Sequence, residues 1–214
     1  SLTSVNLAMN NLTGELPSTF CFRKQKTLDL RGNNLWGTIP ESIKTCTQLQ
    51  TLYLGQAIHT LHSPRSSSSV VSFKLPSSSA MASLTMLTEF SVAGLGLAGT
   101  VPTSLFSLSN LEHLDLSHNN FNGSVPNVTA GGLQQLKTLK LEDNKLTGVV
   151  PESLLTLPRL LHLYLGDNLI TGVQSPLASS YTIKVNGLHL AGNMLVAFPP
   201  VLRNMTSLKT LDLS

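Results

Sequence analysis

The sequence predicts a solenoid: short coils stacked around a shared leucine core, with a parallel sheet lining one concave face. Three observations carry that prediction. Leucine supplies 42 of 214 residues while charged residues make up only 12%, about half the usual ~25%. One pattern returns with asparagines at 119, 144, 168 and 193, so its period is 25, 24 and 25 residues and its phase is held. Glycine and proline recur through the units, which excludes a continuous helix, because proline removes a backbone donor and collides with the preceding turn.

Each unit divides into the same parts. The first reads Val5-x-Leu7-x-x-Asn10-x-Leu12-x-Gly14-x-Leu16-Pro17. It recurs at Leu28, Leu30, Asn33, Leu35, Gly37, Ile39 and Pro40, and at Leu114, Leu116, Asn119, Phe121, Gly123, Val125 and Pro126. Another copy is Leu139, Leu141, Asn144, Leu146, Gly148, Val150 and Pro151, and looser ones follow Leu163 and Leu188. Alternating Leu-x-Leu puts two side chains on one face of a short strand. The chain then turns at the asparagine, whose amide has two donors and an acceptor for backbone groups left unpaired there. Later apolar positions such as Leu105, Leu108 and Leu111 carry the return path. One coil cannot bury its leucines alone, but a stack shares a continuous core.

A unit of about 24 residues on L-x-x-L-x-L-x-x-N-x-L is the leucine-rich repeat. The added Gly-x-(Ile/Val/Leu)-Pro, best seen in Asn33–Ile43 and Asn144–Leu154, resembles the plant-type repeat of receptor-like kinases, receptor-like proteins and polygalacturonase-inhibiting proteins. The expected fold is therefore a leucine-rich-repeat solenoid over residues 1–214, of about nine coils. It has a parallel concave sheet, an irregular or 3-10 convex side and a right-handed superhelical curve. The chain starts inside a coil and stops before the next asparagine is due, without the paired-cysteine caps of that family, which is expected of an uncapped internal fragment.

Two departures from the repeat are visible. Ala57 and Leu95 occupy asparagine slots 38 residues apart, a surplus of 14 over one coil. Leu75-Pro76 reads as that coil's own Ile-Pro element, which places a Ser-rich inserted loop at about residues 58–73. Both serine runs, Ser66 to Ser69 and Ser77 to Ser79, read as solvated chain with too little apolar surface to order itself. A modified segment, a neutral insertion and a retained intron all account for the extra length. The stack is expected to be weakest near 55–95. Cys46 sits in an apolar slot equivalent to Leu108 and Leu157, whereas Cys21 lies one residue past the Phe20 slot and out of phase. The expectation is two free thiols.

Chemistry finds little support. Gly94-Leu-Gly96-Leu-Ala-Gly99 matches G-x-G-x-x-G, but Val101-Pro102 follows and no helix can begin there, as dinucleotide binding requires. His113 and His162 share a column two strands apart, roughly 10 Å at ~4.8 Å per strand, too far to share a zinc ion. No nucleophile, base and acid arrangement stands out from the repeat. The reading is no enzyme, no cofactor and no metal. Net charge is only +3, which offers no footprint for nucleic acid. No apolar stretch of ~18 residues would cross a bilayer, so no membrane contact by this segment itself is expected. The N-terminus lacks the pattern of a signal peptide. Four N-glycosylation sequons, at Asn11, Asn122, Asn127 and Asn204, are no more than chance yields in a chain so rich in Asn, Ser and Thr.

The register also names the concave face. Residues four places before each slot form its central column: Asn6, Asp29, Tyr53, Ser91, Asp115, Lys140, Tyr164, His189 and Asp212. Neighbouring columns add Arg31, Glu89, His113, His118, Glu142, Asp143, His162 and Asp167. Seven of the chain's 11 acids lie there but only two of its 14 bases, an acidic face that draws basic partners. Aspartate in Leu-Asp-Leu is common filler in this repeat; Glu142, Asp143 and Asp167 beside His118 are not read as filler. Tyr164 and His189, beside the small Gly166 and Ala191, are expected to border a depression suited to an anchor group. The candidate partner site is Tyr53, His113, Asp115, His118, Lys140, Glu142, Asp143, His162, Tyr164, Asp167 and His189, centred on repeats five to eight. What the family resemblance implies is a ligand-recognition segment of a receptor-like protein, binding a peptide or oligosaccharide with a co-receptor. Its place would be the extracellular side of the plasma membrane, as part of a larger chain. An intracellular, cytoplasmic scaffold and an inhibitor of a cell-wall-degrading enzyme are the alternatives.

Overall fold

A computed structural model describes residues 2–55, 73–175 and 183–214. Nine parallel strands form the concave sheet in chain order: Ser4–Asn6, Thr27–Asp29, Thr51–Tyr53, Glu89–Ser91, His113–Asp115, Thr138–Lys140, His162–Tyr164, Gly187–His189 and Thr210–Asp212. Their register is in phase throughout. Tyr53 pairs with Ser91, Ser91 with Asp115, Asp115 with Lys140, Lys140 with Tyr164 and Tyr164 with His189, so the column read from the sequence is one row of neighbouring residues. The alternate residues point into the core: Leu52, Leu139, Leu141, Leu163 and Leu165 are fully buried.

The asparagines close the turn and also tie one coil to the next. Asn144 Nδ2 donates to the carbonyls of Leu141 and Glu142 in its own coil and of Leu116 in the preceding one, while its Oδ1 accepts from Phe121 N. Asn33, Asn119, Asn168 and Asn193 repeat the arrangement. Leu95 has no amide to offer, and both its own N–H and that of Leu97 donate to Asn119 Oδ1 in the next coil. Ala57 lies outside the described residues.

The convex side is more regular than expected. The x-Leu-x-Gly-x-Val segments after the asparagines pair into two further parallel sheets. One joins Ala98–Thr100, Asn120–Ser124, Lys145–Val150 and Leu169–Val173, the other Thr13–Glu15, Asn34–Thr38 and Phe73–Lys74. Pairing there is staggered: Gly123 faces Leu146 and Gly14 faces Leu35, two places off the repeat phase. Glycine suits this stretch because the chain takes positive φ at Gly14, Gly37, Gly99, Gly123 and Gly148, which costs a residue without Cβ little. Short 3-10 turns at Glu41–Thr45, Thr103–Ser107 and Pro200–Asn204 and short helices at Ser78–Ala82 and Glu152–Leu155 complete the return path.

Three local expectations meet the coordinates. Leu75-Pro76 does follow a strand equivalent to that before Ile39-Pro40, with Thr38 paired to Lys74 and Ile39 N donating to Lys74 O. Of the loop at about 58–73, residues 58–72 lie outside the described residues, and Phe73 is a buried strand residue. Ser77 to Ser79 are not loose chain. Ser77 caps the helix Ser78–Ala82, accepting from Ala80 N, and both its N–H and its hydroxyl donate to the Glu41 carboxylate of the preceding coil. A serine run placed directly before an apolar turn is a capping signal, and composition alone hid it.

The cysteines also correct the sequence reading: Cys21 and Cys46 are joined by a disulfide, with Cα atoms 6.1 Å apart. Their separation of 25 residues is one coil length, which sets them on successive coils. Repeat phase misleads on this side. Only ten residues run from Pro17 to the next strand at Thr27, against eleven from Pro40 to Thr51, so formally unequal positions stand side by side.

Candidate ligand-binding face

The concave columns are built by alternation along three-residue strands. Tyr164 and Lys140 stand outward and half-exposed while Leu163, Leu165, Leu139 and Leu141 fill the core. Three residues past the strand end, just before the asparagine slot, the chain takes a left-handed conformation: φ is 55° at His118, 53° at Asp143 and 52° at Asp167, with Met9, Gly32, Gly94 and Gly192 in the same place elsewhere. Asn, Asp and His tolerate that region better than most residues. Asp143 and Asp167 thus have a backbone reason to be acidic, which the sequence reading missed.

The central hollow of this face has a volume of about 540 Å³. Tyr53, His113, Asp115, His118, Lys140 and Glu142 line it, joined by Arg31, Glu89, Ser91 and Ser117, while Phe90, Ala93 and Leu114 at its base are buried. Asp143, His162, Tyr164, Asp167 and His189 are not among its lining residues; they flank it toward the C-terminal coils. The cause is legible in one column. Two places before each slot the sequence reads Arg31, Gly55, Ala93, Ser117 and Glu142, so three small residues separate two long ones. Gly166 and Ala191 hold the same column further along, where the sequence predicts a depression. There the small side chain serves backbone packing, since a Cβ on Gly166 would stand 3.3 Å from the Ala191 carbonyl oxygen. Gly55 is more constrained still, because a Cβ added there would collide with the carbonyl oxygen and amide nitrogen of Ala93.

Most charges around the hollow are matched. Arg31 donates to both carboxylate oxygens of Asp29 at 3.0 and 2.6 Å and lies over the Tyr53 ring, 4.2 Å from its centroid. The Asp29 carboxylate holds the guanidinium above its ordinary pKa. Asp115 accepts from the hydroxyl and N–H of Ser117, with Lys140 Nζ at 3.9 Å. His118 Nδ1 sits 2.9 Å from Asp143 Oδ2, so two left-handed residues brace each other. Glu142 differs. Its Oε2 is enclosed and has no hydrogen-bond partner among the described residues. Burial raises its pKa above the ordinary 4.5, with Asp115 adding to the rise and its own backbone N–H, Lys140 and His118 opposing it.

Beyond the hollow runs an aromatic ladder. Tyr164 stacks on His189 with centroids 4.6 Å apart and planes within 11°, and His162 lies 6.2 Å away. Lys140 Nζ approaches the Tyr164 ring at 5.8 Å. The ring is thus flanked by its own neighbours, leaving its edge and hydroxyl for a partner. Among the sequons, Asn11, Asn122 and Asn127 are exposed and Asn204 is half-buried.

Family models for the leucine-rich repeat match residues 1–22, 26–46 and 109–170. Over these residues the chain carries the leucine-rich repeat, and its fold is a leucine-rich-repeat solenoid. Arabidopsis thaliana Receptor-like protein 7 is 31% identical over 151 residues, covering 58% of this chain and 16% of that protein. Receptor-like protein 34 from the same plant is 33% identical over 126 residues, covering 59% of this chain and 11% of the relative. This repeat chain therefore spans a small part of the curated relatives it matches. Among solved structures it is similar to the Arabidopsis receptor kinase HAESA in complex with the peptide hormone IDA and the co-receptor SERK1, with TM-score 0.76 and 30% identity, covering 98% of this chain and 33% of that one. The plant peptide hormone receptor RGFR1 in complex with RGF2 gives TM-score 0.76 at 25% identity, covering 99% of this chain and 36% of that one. A plant ice-binding protein has TM-score 0.70 at 25% identity, covering 98% and 64%.

Proposed function

We propose that this chain is a non-catalytic recognition module of a receptor-like protein and binds an extended peptide along its concave face, across the central hollow. Fold likeness alone does not choose, since the same coil serves peptide-hormone receptors and an ice-binding protein. The observation that carries the reading is the hollow itself: a concavity walled by charged and polar side chains and the Tyr53 ring, within the 300–1,000 Å³ range of ligand sites. Its strands present side chains in an unbroken row on either side. The Cys21–Cys46 disulfide supports the extracellular side, because such bonds persist in oxidising compartments. A co-receptor would engage the bound pair, as in the complex with HAESA.

The test is a selection of random dodecapeptides displayed on phage against the 214-residue chain. Ser91→Tyr fills the hollow from a column that already holds Tyr53 and Tyr164, so the fold should tolerate it. Selected peptides are expected to lose binding to Ser91→Tyr. Peptides that bind both forms equally would overturn the concave-face reading.

A further inference from the structure

We infer that the hollow selects a basic side chain, an ammonium or guanidinium carried by the bound peptide, and that Glu142 is its counter-ion; this rests on the concave face being the binding face. Four carboxylates, of Asp29, Glu89, Asp115 and Glu142, meet two cations, Arg31 and Lys140, in and beside the hollow. The cations are engaged. Arg31 is forked onto Asp29 and stacked over Tyr53, and Lys140 is drawn between Asp115 and the Tyr164 ring. His118, which also lines the hollow, is held by Asp143.

That leaves one oxygen of the Glu142 carboxylate, Oε2, enclosed and without a donor, while its own backbone N–H serves the group. An unmet buried acceptor costs about 1–3 kcal/mol, more if charged, and the half-buried Glu142 side chain sheds that cost by turning its carboxylate into the hollow toward an arriving N–H group. A neutral donor would satisfy geometry but not the local excess of negative charge, and an anion would be repelled. The wall completes the fit: the Tyr53 ring offers apolar surface for the methylene stem of lysine or arginine. Glu89, which has no ion-pair partner among the described residues, adds to the field from the opposite wall.

The same phage-selected dodecapeptides, resynthesised, distinguish the two readings. Peptides whose binding is lost on Ser91→Tyr are expected to share a lysine or arginine. Replacing it by norleucine or citrulline should weaken binding about tenfold or more, and Glu142→Gln should do the same. Thermal melts of each variant guard against unfolding, and Glu142→Gln keeps the shape of the side chain. Hollow-dependent peptides without a basic residue, or with unchanged affinity for Glu142→Gln, would overturn the inference while leaving the concave-face reading intact. Peptides indifferent to Ser91→Tyr would sink that reading first.

Discussion

Asn168 and Glu142 show two opposite ways in which a single polar side chain can sit near a leucine core. Asn168 is 4% exposed and spends every polar atom: it donates to Leu141, Leu165 and Gly166 carbonyls and accepts from Leu146 N. Asn168→Leu should cost about 2–4 kcal/mol, because buried backbone groups on two coils lose their partner together; urea denaturation would read the loss. Glu142 is enclosed and unsatisfied, so its sign is reversed. With its folded pKa raised above 4.5 by burial, the native state binds the proton more readily than the unfolded chain. Stability should therefore fall as pH rises from about 4.5 through the raised value and level off above it. Glu142→Gln should flatten that slope and melt higher than the parent at neutral pH, with the gap closing near pH 4. A variant that gains stability and loses a basic peptide is the signature of a residue kept for binding.

At the scale of the element, the return path carries the local chemistry. The short helix Ser78–Ala82 owes its start to Ser77, which also anchors it to Glu41 one coil back. Ser77→Ala should lower stability by about 1 kcal/mol, with amide exchange accelerated at Ala80 and Met81, where thermal melting alone would show little. The Cys21–Cys46 bridge closes a loop of 25 residues, for which the chain-entropy model gives about 3.5 kcal/mol. Cys21→Ser should loosen the first two coils and leave the central ones unchanged. Uniform loosening along the whole stack, followed by hydrogen exchange, would contradict a purely local staple.

For the molecule as a whole, stability in a solenoid is a sum of coils and of interfaces between neighbours. The coil holding Leu95 lacks its amide, and Asn119 accepts from both Leu95 and Leu97 in its place. Amides of 73–95 are accordingly expected to exchange faster than those of 114–168, where Asn119, Asn144 and Asn168 form an unbroken ladder. Equal rates in the two segments would show that core packing, with Phe90 and Leu97 fully buried, replaces the missing amide.

Periodicity by itself determined the coil, the core and the rows of the inner face, because a repeat held in phase forces equivalent residues into equivalent orientation. Tyr53, Ser91, Asp115, Lys140, Tyr164 and His189 stand in one row for that reason. What the tertiary structure decided was everything that depends on two coils at once. The disulfide, the Ser77–Glu41 tie, the stacking of Tyr164 on His189 and the hollow over Ala93 and Ser117 all join residues about one coil apart or more. Repeat phase states which way a side chain points. How closely neighbouring coils approach, and whether their unequal return paths bring unlike positions together, is settled only when they stack.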